Sequence, residues 1–194
     1  MYLSPTDYLT ACNEQDKQVL TENSNFFLLE NMEQSAAELI KSYLKAYRDG
    51  EYDLDAIFQK LYLYDVAIGY NAGACVFNEI TLPDNSIWNE VYYAKVTNTG
   101  SALNDTAFWE KIDKRPKLII RGMVDLVMYD LYTRIMPDNI PTIRKERYEY
   151  FMEWLKGISS GKVNADLPLL PTTPENNNSV TGFYTIGNLQ KWHY

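Results

Sequence analysis

The stretch KLIIRGMVDLVMYDLYTRIM, residues 117–136, is the longest apolar run of the chain and decides its fold class. Apart from Lys117, its charges form two pairs spaced four positions apart, Arg121/Asp125 and Asp130/Arg134. Such spacing places each pair on one helix face, and a helix that is apolar on nearly every side usually lies at the centre of a protein. We therefore predict a central helix that ends at Pro137 and in which Gly122 allows a neighbour to approach closely. The run is too short and too charged to cross a membrane.

Further helix signals lie on both sides of this run. The segment SPTD at residues 4–7 is a variant capping box with proline at the first helical position, and it predicts a short helix that ends near Cys12. A polar connection, residues 14–25, follows. Apolar side chains then recur every three or four positions, which predicts a long helix from Asn31 to Gly50. A last helix begins at Pro141, and its inward face holds Tyr148, Phe151, Met152, Leu155 and Ile158.

Between these helices the sequence changes its period. Residues 61–70 alternate large apolar and smaller side chains, which favours a strand, although a helix is not excluded because residues 61–68 are apolar almost throughout. Residues 83–86 carry a turn signal, and residues 91–97 read as a second strand. These patterns predict a small antiparallel β-module inserted between helices.

The predicted fold class is therefore α+β, with three parts. Residues 1–60 and 114–163 form a helical core, residues 61–113 form the inserted β-module, and residues 164–194 form an extended C-terminal arm. The arm contains three prolines and three consecutive asparagines before an aromatic end, a composition that favours an extended segment over packed core.

Composition excludes several functions. One histidine and two cysteines among 194 residues cannot supply a zinc site with the usual ligands or a disulfide framework, so a reducing compartment is expected. No residue pattern assembles a nucleophile with a base, and the acidic repeat at Asp49, Glu51, Asp53 and Asp55 lacks the glycine and glutamate of a calcium loop. We accordingly expect no catalytic residues, no metal and no cofactor: the protein is not an enzyme.

Charge is distributed unevenly along the chain. The formal net charge is −8, which argues against a nucleic-acid grip, because such a grip needs clustered positive charge. Residues 1–116 carry 9 basic and 18 acidic side chains, whereas residues 117–194 carry 9 and 8. This asymmetry is compatible with a head-to-tail contact between copies, or with two differently solvated faces of one molecule.

Five aromatic residues of the β-module are candidates for a binding surface: Tyr70, Trp88, Tyr92, Tyr93 and Trp109. Flat rings on a β-surface stack on sugars or on side chains of a partner. The alternative, which we favour, is that a module of about 50 residues needs these rings as its own core.

Several motifs of the helical core occur in the order known from one protein family: YLSPxDY at 2–8, IKSYL at 40–44, KLIIR at 117–121, IPxxRxxRY at 140–148 and WLxG at 154–157. With their neighbours they cover about 110 residues, and they resemble the head–tail connector, or adaptor, family of tailed phages, especially its Mu-like prophage group. The β-module stands where that family has a short connection. Its segments 70–76, 91–95 and 98–109 are similar to small carbohydrate-binding-type modules.

The connector resemblance implies a structural virion protein, assembled in the host cytoplasm. It implies a homo-oligomeric ring of twelve copies beneath the portal protein, in contact with further neck or tail ring proteins. DNA would pass through the ring without sequence-specific binding. Expected partner-binding residues are Arg144 and Arg147 together with the aromatic side chains of the arm, Phe183, Tyr184, Trp192 and Tyr194. The alternative hypothesis is a glycan- or surface-binding module on a helical base.

Overall fold

The computed structural model describes residues 1–23, 25–47, 51–83 and 87–170. The helices are α1 (Pro5–Ala11), α2 (Glu14–Asn23), α3 (Phe26–Tyr47), α4 (Leu54–Ile57), α5 (Lys117–Ile135) and α6 (Thr142–Ser159). The strands are β1 (Leu61–Leu63), β2 (Gly69–Tyr70), β3 (Cys75–Thr81), β4 (Ile87–Ala94), β5 (Asn98–Thr99) and β6 (Trp109–Glu110). A 3-10 turn at Pro137–Asn139 joins α5 to α6. The fold class is α+β, as the sequence predicts.

Helix α5 lies at the centre of the helical core. It packs against α1, α3 and α6, and most of its residues between Ile119 and Tyr132 are buried. Gly122 faces the ring of Phe151 on α6, whose Cζ lies 2.0 Å from the point where a β-carbon would stand. The predictions of a central helix and of a close approach at this glycine are both confirmed.

Side-chain caps decide where the N-terminal helices begin. The capping box of α1 is present: the Ser4 N–H donates to Asp7 Oδ2 at 2.7 Å, and Asp7 N–H donates to Ser4 Oγ at 3.3 Å. The polar connection expected after α1 is instead helix α2. Its cap is reciprocal, because Asn13 N–H donates to Asp16 Oδ2 and Asp16 N–H donates to Asn13 Oδ1, both at 2.9 Å.

The start of α3 also differs from the prediction. The helix begins at Phe26 rather than Asn31, since the Asn25 side chain accepts a hydrogen bond from Leu28 N–H at 2.8 Å. Asp53 caps α4 in the same way by accepting from Ala56 N–H at 2.9 Å. The acidic side chain that resembles a calcium ligand in sequence therefore serves as a helix cap.

All described strands lie in the β-module, and they form two sheets. Four strands pair in the order β1-β3-β4-β6, while β2 pairs with β5 in an antiparallel ribbon. The module is not wholly antiparallel as predicted, because β1 runs parallel to β3, with Leu61 opposite Cys75 and Leu63 opposite Phe77. The crossover from β1 to β3 carries the β2 segment, so the chain returns to the sheet in the same direction.

The prediction of one strand over residues 61–70 is wrong for residues 64–68. Only Leu61–Leu63 and Gly69–Tyr70 are strands, with a turn between them. Asp65 makes this turn, since its Oδ1 accepts from Ala67 N–H at 2.8 Å and its carbonyl accepts from Ile68 N–H at 3.1 Å. The alternating sequence pattern therefore includes a turn, and the apolar side chains of Val66 and Ile68 are exposed.

The two regions have cores of different size. The helical core is one cluster built from α1 to α6, whereas the four-stranded sheet has small clusters on its two faces. One face holds Tyr70, Val76, Ala94 and Trp109; the other holds Leu61, Cys75 and Phe77. Cys12 and Cys75 are free and buried, and burial raises the pKa of each thiol to about 11.

The first part of the C-terminal arm, residues 164–170, lies against the helical core. Asp53 N–H donates to the Pro168 carbonyl at 2.9 Å, and Leu170 N–H donates to the Glu51 carbonyl at 2.8 Å. Leu167 is buried in the core cluster, which the prediction of an unpacked arm did not anticipate. Across the described ranges, no helix is long and apolar enough to span a membrane.

Candidate functional site

A large concave surface lies where the helical core meets the β-module. A cavity of about 730 Å³ opens between α1, β4, residues 111–113 and α5. A second cavity, of about 430 Å³, lies between α5 and α6. Arg121 and Arg147 line both cavities, so the two are adjacent, and we refer to them together as the groove. We call the lining of the two cavities the junction surface.

Large apolar side chains are exposed along the junction surface. Tyr150 is 71% exposed and Trp88 is 41% exposed, and three aliphatic side chains lie with them: Ile112, Leu118 and Ile143. Exposed tryptophan, tyrosine and arginine side chains are the residue types that carry most of the binding energy in protein interfaces. This composition is typical of a partner-binding surface.

The exposed charges of the junction surface are mostly positive. Lys111, Lys117 and Arg121 are exposed, whereas the carboxylates below them are held in ion pairs. Glu90 accepts a hydrogen bond from Lys111 Nζ, and Asp113 accepts one from Lys117 Nζ at 2.5 Å. The lining of the two cavities holds four basic and five acidic side chains, among them the exposed Glu146, so the charges of the groove are mixed.

A buried arginine holds the floor of the groove. Arg115 Nη1 donates to the Tyr2 carbonyl at 2.7 Å and to Asp7 Oδ2 at 3.1 Å, while Arg115 Nε donates to Asp113 Oδ1 at 2.9 Å. Burial raises the pKa of Asp113, but the hydrogen bonds and charge of Arg115 outweigh it and leave that pKa below its usual value. Arg115 thus fixes the N-terminus and α1 against the segment that enters α5.

Thr6 and Asn89 join α1 to β4 directly. The Thr6 backbone N–H and hydroxyl both donate to Asn89 Oδ1, at 3.0 and 2.8 Å, and Asn89 N–H donates to Thr6 Oγ1 at 2.8 Å. Both residues are buried. This reciprocal contact sets how the β-module meets the helical core at the groove.

Arg144 is buried, so the structure does not support its predicted contact with a partner. Its Nε donates to Asp16 Oδ1 at 3.0 Å, its Nη2 donates to Asp16 Oδ2, and its Nη1 donates to Asp125 Oδ1 at 3.1 Å. The residue is 1% exposed. Asp125 thus forms its ion pair with α6, and not with Arg121 on its own helix as the spacing predicted.

The electrostatics of this buried cluster differ between its two carboxylates. Burial raises the pKa of Asp125, and the charges of Arg147 and Arg144 reduce that shift without cancelling it. Burial also raises the pKa of Asp16, but hydrogen bonds from Arg144, Asn13 N–H and Tyr132 leave it below its usual value. The Tyr132 hydroxyl donates to Asp16 Oδ1 at 2.9 Å.

Arg147 behaves differently from Arg144. Its Nη1 donates to the Ala11 carbonyl at 2.9 Å and lies 3.7 Å from Asp125 Oδ1, yet about a third of the side chain is exposed. It therefore remains a candidate for a partner contact. The other predicted partner-binding residues, Phe183, Tyr184, Trp192 and Tyr194, lie outside the described residues.

The five aromatic candidates of the β-module separate into three groups by burial. Tyr70 and Trp109 are buried and pack edge to face with ring centroids 5.4 Å apart, as the core interpretation requires. Tyr92 and Tyr93 are half-buried; the Tyr92 hydroxyl donates to Glu90 at 2.8 Å, and Lys114 Nζ lies 3.6 Å above the Tyr93 ring. Trp88 alone of the five is exposed.

Sequence reasoning missed four residues of the junction surface: Lys111, Lys117, Arg121 and Tyr150. Nothing in their local pattern separates them from ordinary exposed side chains, because they converge only when β4, α5 and α6 meet. Within the described ranges, no three histidine, cysteine or acidic residues are grouped so that they could hold a metal ion.

One known family is similar to part of the chain. A family model described as Bacteriophage Mu, Gp36 matches residues 111–182, a range that includes all of α5 and α6. The matched helices provide one side of the junction surface and, beneath it, Arg144 and Asp125, whereas Asp16 of the same cluster lies outside the matched range. The match supports a relation to a phage structural protein family. No curated protein and no solved structure matches the chain.

Proposed function

We propose that the protein is a structural component of a tailed-phage particle and forms a ring that joins the portal vertex to the tail. The observation that carries this proposal is the junction surface, in which exposed Trp88, Tyr150 and Arg121 surround a groove. Such a surface suits repeated contacts between proteins. The similarity of residues 111–182 to a phage family supports the same assignment.

The proposed ring contains twelve copies and contacts the portal protein and further neck or tail ring proteins. Its place is the virion, after assembly in the host cytoplasm, and its role is structural rather than catalytic. The net charge of −8 supports a channel wall that repels DNA phosphate, so that the genome slides through without sequence-specific binding.

The mass of the assembled state tests this proposal. The full chain is measured by sedimentation velocity, alone and mixed with its portal protein, and we expect a ring-sized species in at least the mixture. Replacing Tyr150 with alanine should weaken assembly, whereas the matched change Phe27→Ala, on an equally exposed aromatic of α3, should not. A chain that stays monomeric alone and with portal contradicts the proposal.

The glycan-binding alternative now depends on one exposed ring. Tyr70 and Trp109 are buried in the module, so they offer no platform, but Trp88 is exposed beside Asn89 and Glu90 in a polar part of the groove. A glycan array tests this alternative, with Trp88→Ala as the variant that should lose binding. An array without signal for the wild-type chain removes it.

A further inference from the structure

An exposed apolar surface lies on the β-module next to α4. Tyr62, Leu63 and Ile68 are each more than half exposed. They line a cavity of about 600 Å³ together with Asp55 and Phe58. This volume falls within the range of clefts that enclose most of a small ligand, and contiguous exposed apolar side chains commonly mark a binding site. We call the lining of this cavity the α4–β1 surface.

The α4–β1 surface suits the packing of side chains rather than the addition of a strand. The outer side of β1 is already occupied in part, because Leu61 N–H donates to the Met1 carbonyl at 2.9 Å. Among the described residues that line the cavity, Asp55 and Lys60 alone are charged, and both are exposed. One acid and one base leave the lining without net charge. A matching occupant is therefore apolar and nearly uncharged.

The end of the chain has this chemistry. Residues 180–194 contain seven large apolar side chains and one lysine, and they contain no aspartate or glutamate. Four of the seven are the rings of Phe183, Tyr184, Trp192 and Tyr194. Because removing apolar area from water is favourable, this segment and the α4–β1 surface both gain from contact with each other.

The described chain leaves the helical core beside α4. Leu170 N–H donates to the Glu51 carbonyl at 2.8 Å, and Tyr52 forms an antiparallel bridge with Leu169. Glu51 precedes Asp55 of the cavity lining by four positions, so their backbones are at most about 14 Å apart. Residues 171–194 therefore begin close to the α4–β1 surface.

Residues 171–194 are also long enough to return to this surface. At Leu170 the arm runs antiparallel to residues 51–53, so it must reverse its direction to reach α4. Residues 171–179 contain two prolines and three asparagines, which are residue types that favour turns. The 24 residues after Leu170 span up to about 80 Å when extended. A segment tethered in this way has an effective concentration of about millimolar at a nearby site, which favours it over a separate molecule.

A second apolar cavity is less favourably placed for the arm. It has a volume of about 310 Å³ and is lined by Leu9 of α1 and by Leu29 and Glu30 near the start of α3. The arm leaves near Glu51, which follows the other end of α3. The α4–β1 surface lies between these two places, because Lys41 Nζ in the middle of α3 is 5.0 Å from the centre of the Phe58 ring.

We propose that the aromatic end of the arm, residues 183–194, packs onto the α4–β1 surface of its own chain. Its rings cover Tyr62, Leu63 and Ile68. This inference goes beyond the proposed function, because the contact lies within one copy and needs no ring. The aromatic side chains that the sequence assigned to a partner thereby receive a contact within their own chain.

Two variants of the full chain test the contact from its two sides. Replacing Phe183 and Trp192 with serine removes two rings of the arm, and we expect hydrogen exchange over residues 61–70 to become about 10-fold faster. Leu63→Ser weakens the surface instead, and chymotrypsin should then cleave after Tyr184 about 10-fold faster, because the arm is released.

Matched controls separate the contact from general effects of substitution. Asn177→Ser changes a polar residue of the arm, and Val96→Ser changes an exposed valine of the β-module outside the cavity. Both should leave exchange and cleavage at wild-type rates. Thermal melting and the exchange rates of α5 check that every variant remains folded.

An equal mixture of the arm variant and Leu63→Ser distinguishes a contact within one copy from a contact between copies. The Leu63→Ser chain has an intact arm and the arm variant has an intact surface, so binding between copies would restore protection. The peptides that contain residue 63 differ in mass between the two chains, so the intact surface is measured separately. We expect no restoration in the mixture.

Four outcomes overturn the inference. Wild-type rates in both variants would show that the arm does not cover the surface. Restored protection in the mixture would assign the surface to the arm of another copy. Protection over residues 61–70 that the wild type gains only with portal protein would assign it to portal. Faster cleavage after Tyr184 in Leu9→Ser but not in Leu63→Ser would assign the arm to the second cavity. None of these measurements requires a ring, so the proposed function is tested independently.

Discussion

The helical core and the β-module differ in the size of the apolar clusters that they bury. In the helical core, one continuous apolar cluster surrounds α5 and also encloses the ion pairs of Arg144. In the β-module, the sheet has a few buried residues on each face, and much of its apolar surface remains outside. Most of the buried apolar residues therefore lie in the helical core, whereas the β-module has small clusters and several large exposed apolar side chains.

The largest loss of stability is expected for Arg144→Ala, which removes the buried cation of the helical core. The change leaves Asp16 and Asp125 buried without their cation, and breaking a buried ion pair in this way costs about 3–5 kcal/mol. Urea denaturation measures the loss in free energy of unfolding. Arg121→Ala is the matched control, because this exposed arginine on α5 should change stability by less than about 0.5 kcal/mol. Similar losses for both variants would contradict a structural role for Arg144.

The second test, Trp109→Ala, addresses the β-module. The ring contacts Tyr64 and Tyr70, and its Nε1–H donates to the Ser101 carbonyl at 3.1 Å. Removing a buried tryptophan costs about 3 kcal/mol or more. We expect hydrogen exchange to increase within residues 61–113 and to change little in α5 and α6.

Its control is Trp88→Ala, which removes the exposed ring of the same module and should leave exchange rates unchanged. If Trp109→Ala instead increases exchange equally in α5 and α6, the module and the helical core unfold as one unit. The interpretation that the β-module can lose its structure while the helical core keeps its own would then be wrong.

A third, smaller effect is expected for Gly122→Ala. The added methyl group would overlap the Phe151 ring, three atoms of which lie 2.0–2.5 Å from its position. Overpacking of this kind costs about 1–3 kcal/mol. The thermal midpoint should fall, while Asp130→Ala on the exposed side of the same helix should not lower it. An unchanged midpoint would show that α6 can move away from α5 at no cost.

Much of the fold could be predicted because strong local signals decided it. The capping box at residues 4–7 and the apolar run at 117–136 gave helices α1 and α5 nearly to the residue. Helix α2 was not predicted because Val19 and Leu20 are its only apolar residues, which leaves almost no helical periodicity in its sequence. The reciprocal cap of Asn13 and Asp16 is the stronger signal for this helix. The parallel pairing of β1 was missed because strand direction depends on the crossover and not on alternation.

Less of the candidate site could be predicted. Arg144 and Arg147 stand three positions apart in one motif, yet only the packing of α6 against α2 and α5 decides that the first is buried. The junction surface combines residues that are more than 60 positions apart, from Trp88 to Tyr150. The sequence identifies such side chains as aromatic or charged, but their convergence depends on tertiary contacts.

The smallest expected effect is a dependence on pH that separates the two carboxylates of the Arg144 cluster. The pKa of Asp16 is lowered in the folded state, so its contribution to stability is complete above 3.8, the ordinary value, and is lost as pH falls through the lowered pKa. Asp16→Asn removes this contribution. The difference in unfolding free energy between wild type and Asp16→Asn should therefore be constant near neutral pH and shrink as pH falls below 3.8.

Asp125 provides the internal contrast for this measurement. Its pKa is raised by burial, so ionisation of Asp125 makes the folded state less stable as pH rises above 3.8 toward that raised value. The difference between wild type and Asp125→Asn should therefore change in the opposite direction over its own range. If both differences shrink together on acidification, then Arg144 affects the pKa of the two carboxylates in the same way. The hydrogen bonds of Asp16 with Asn13 and Tyr132 would then not separate the two pKa values.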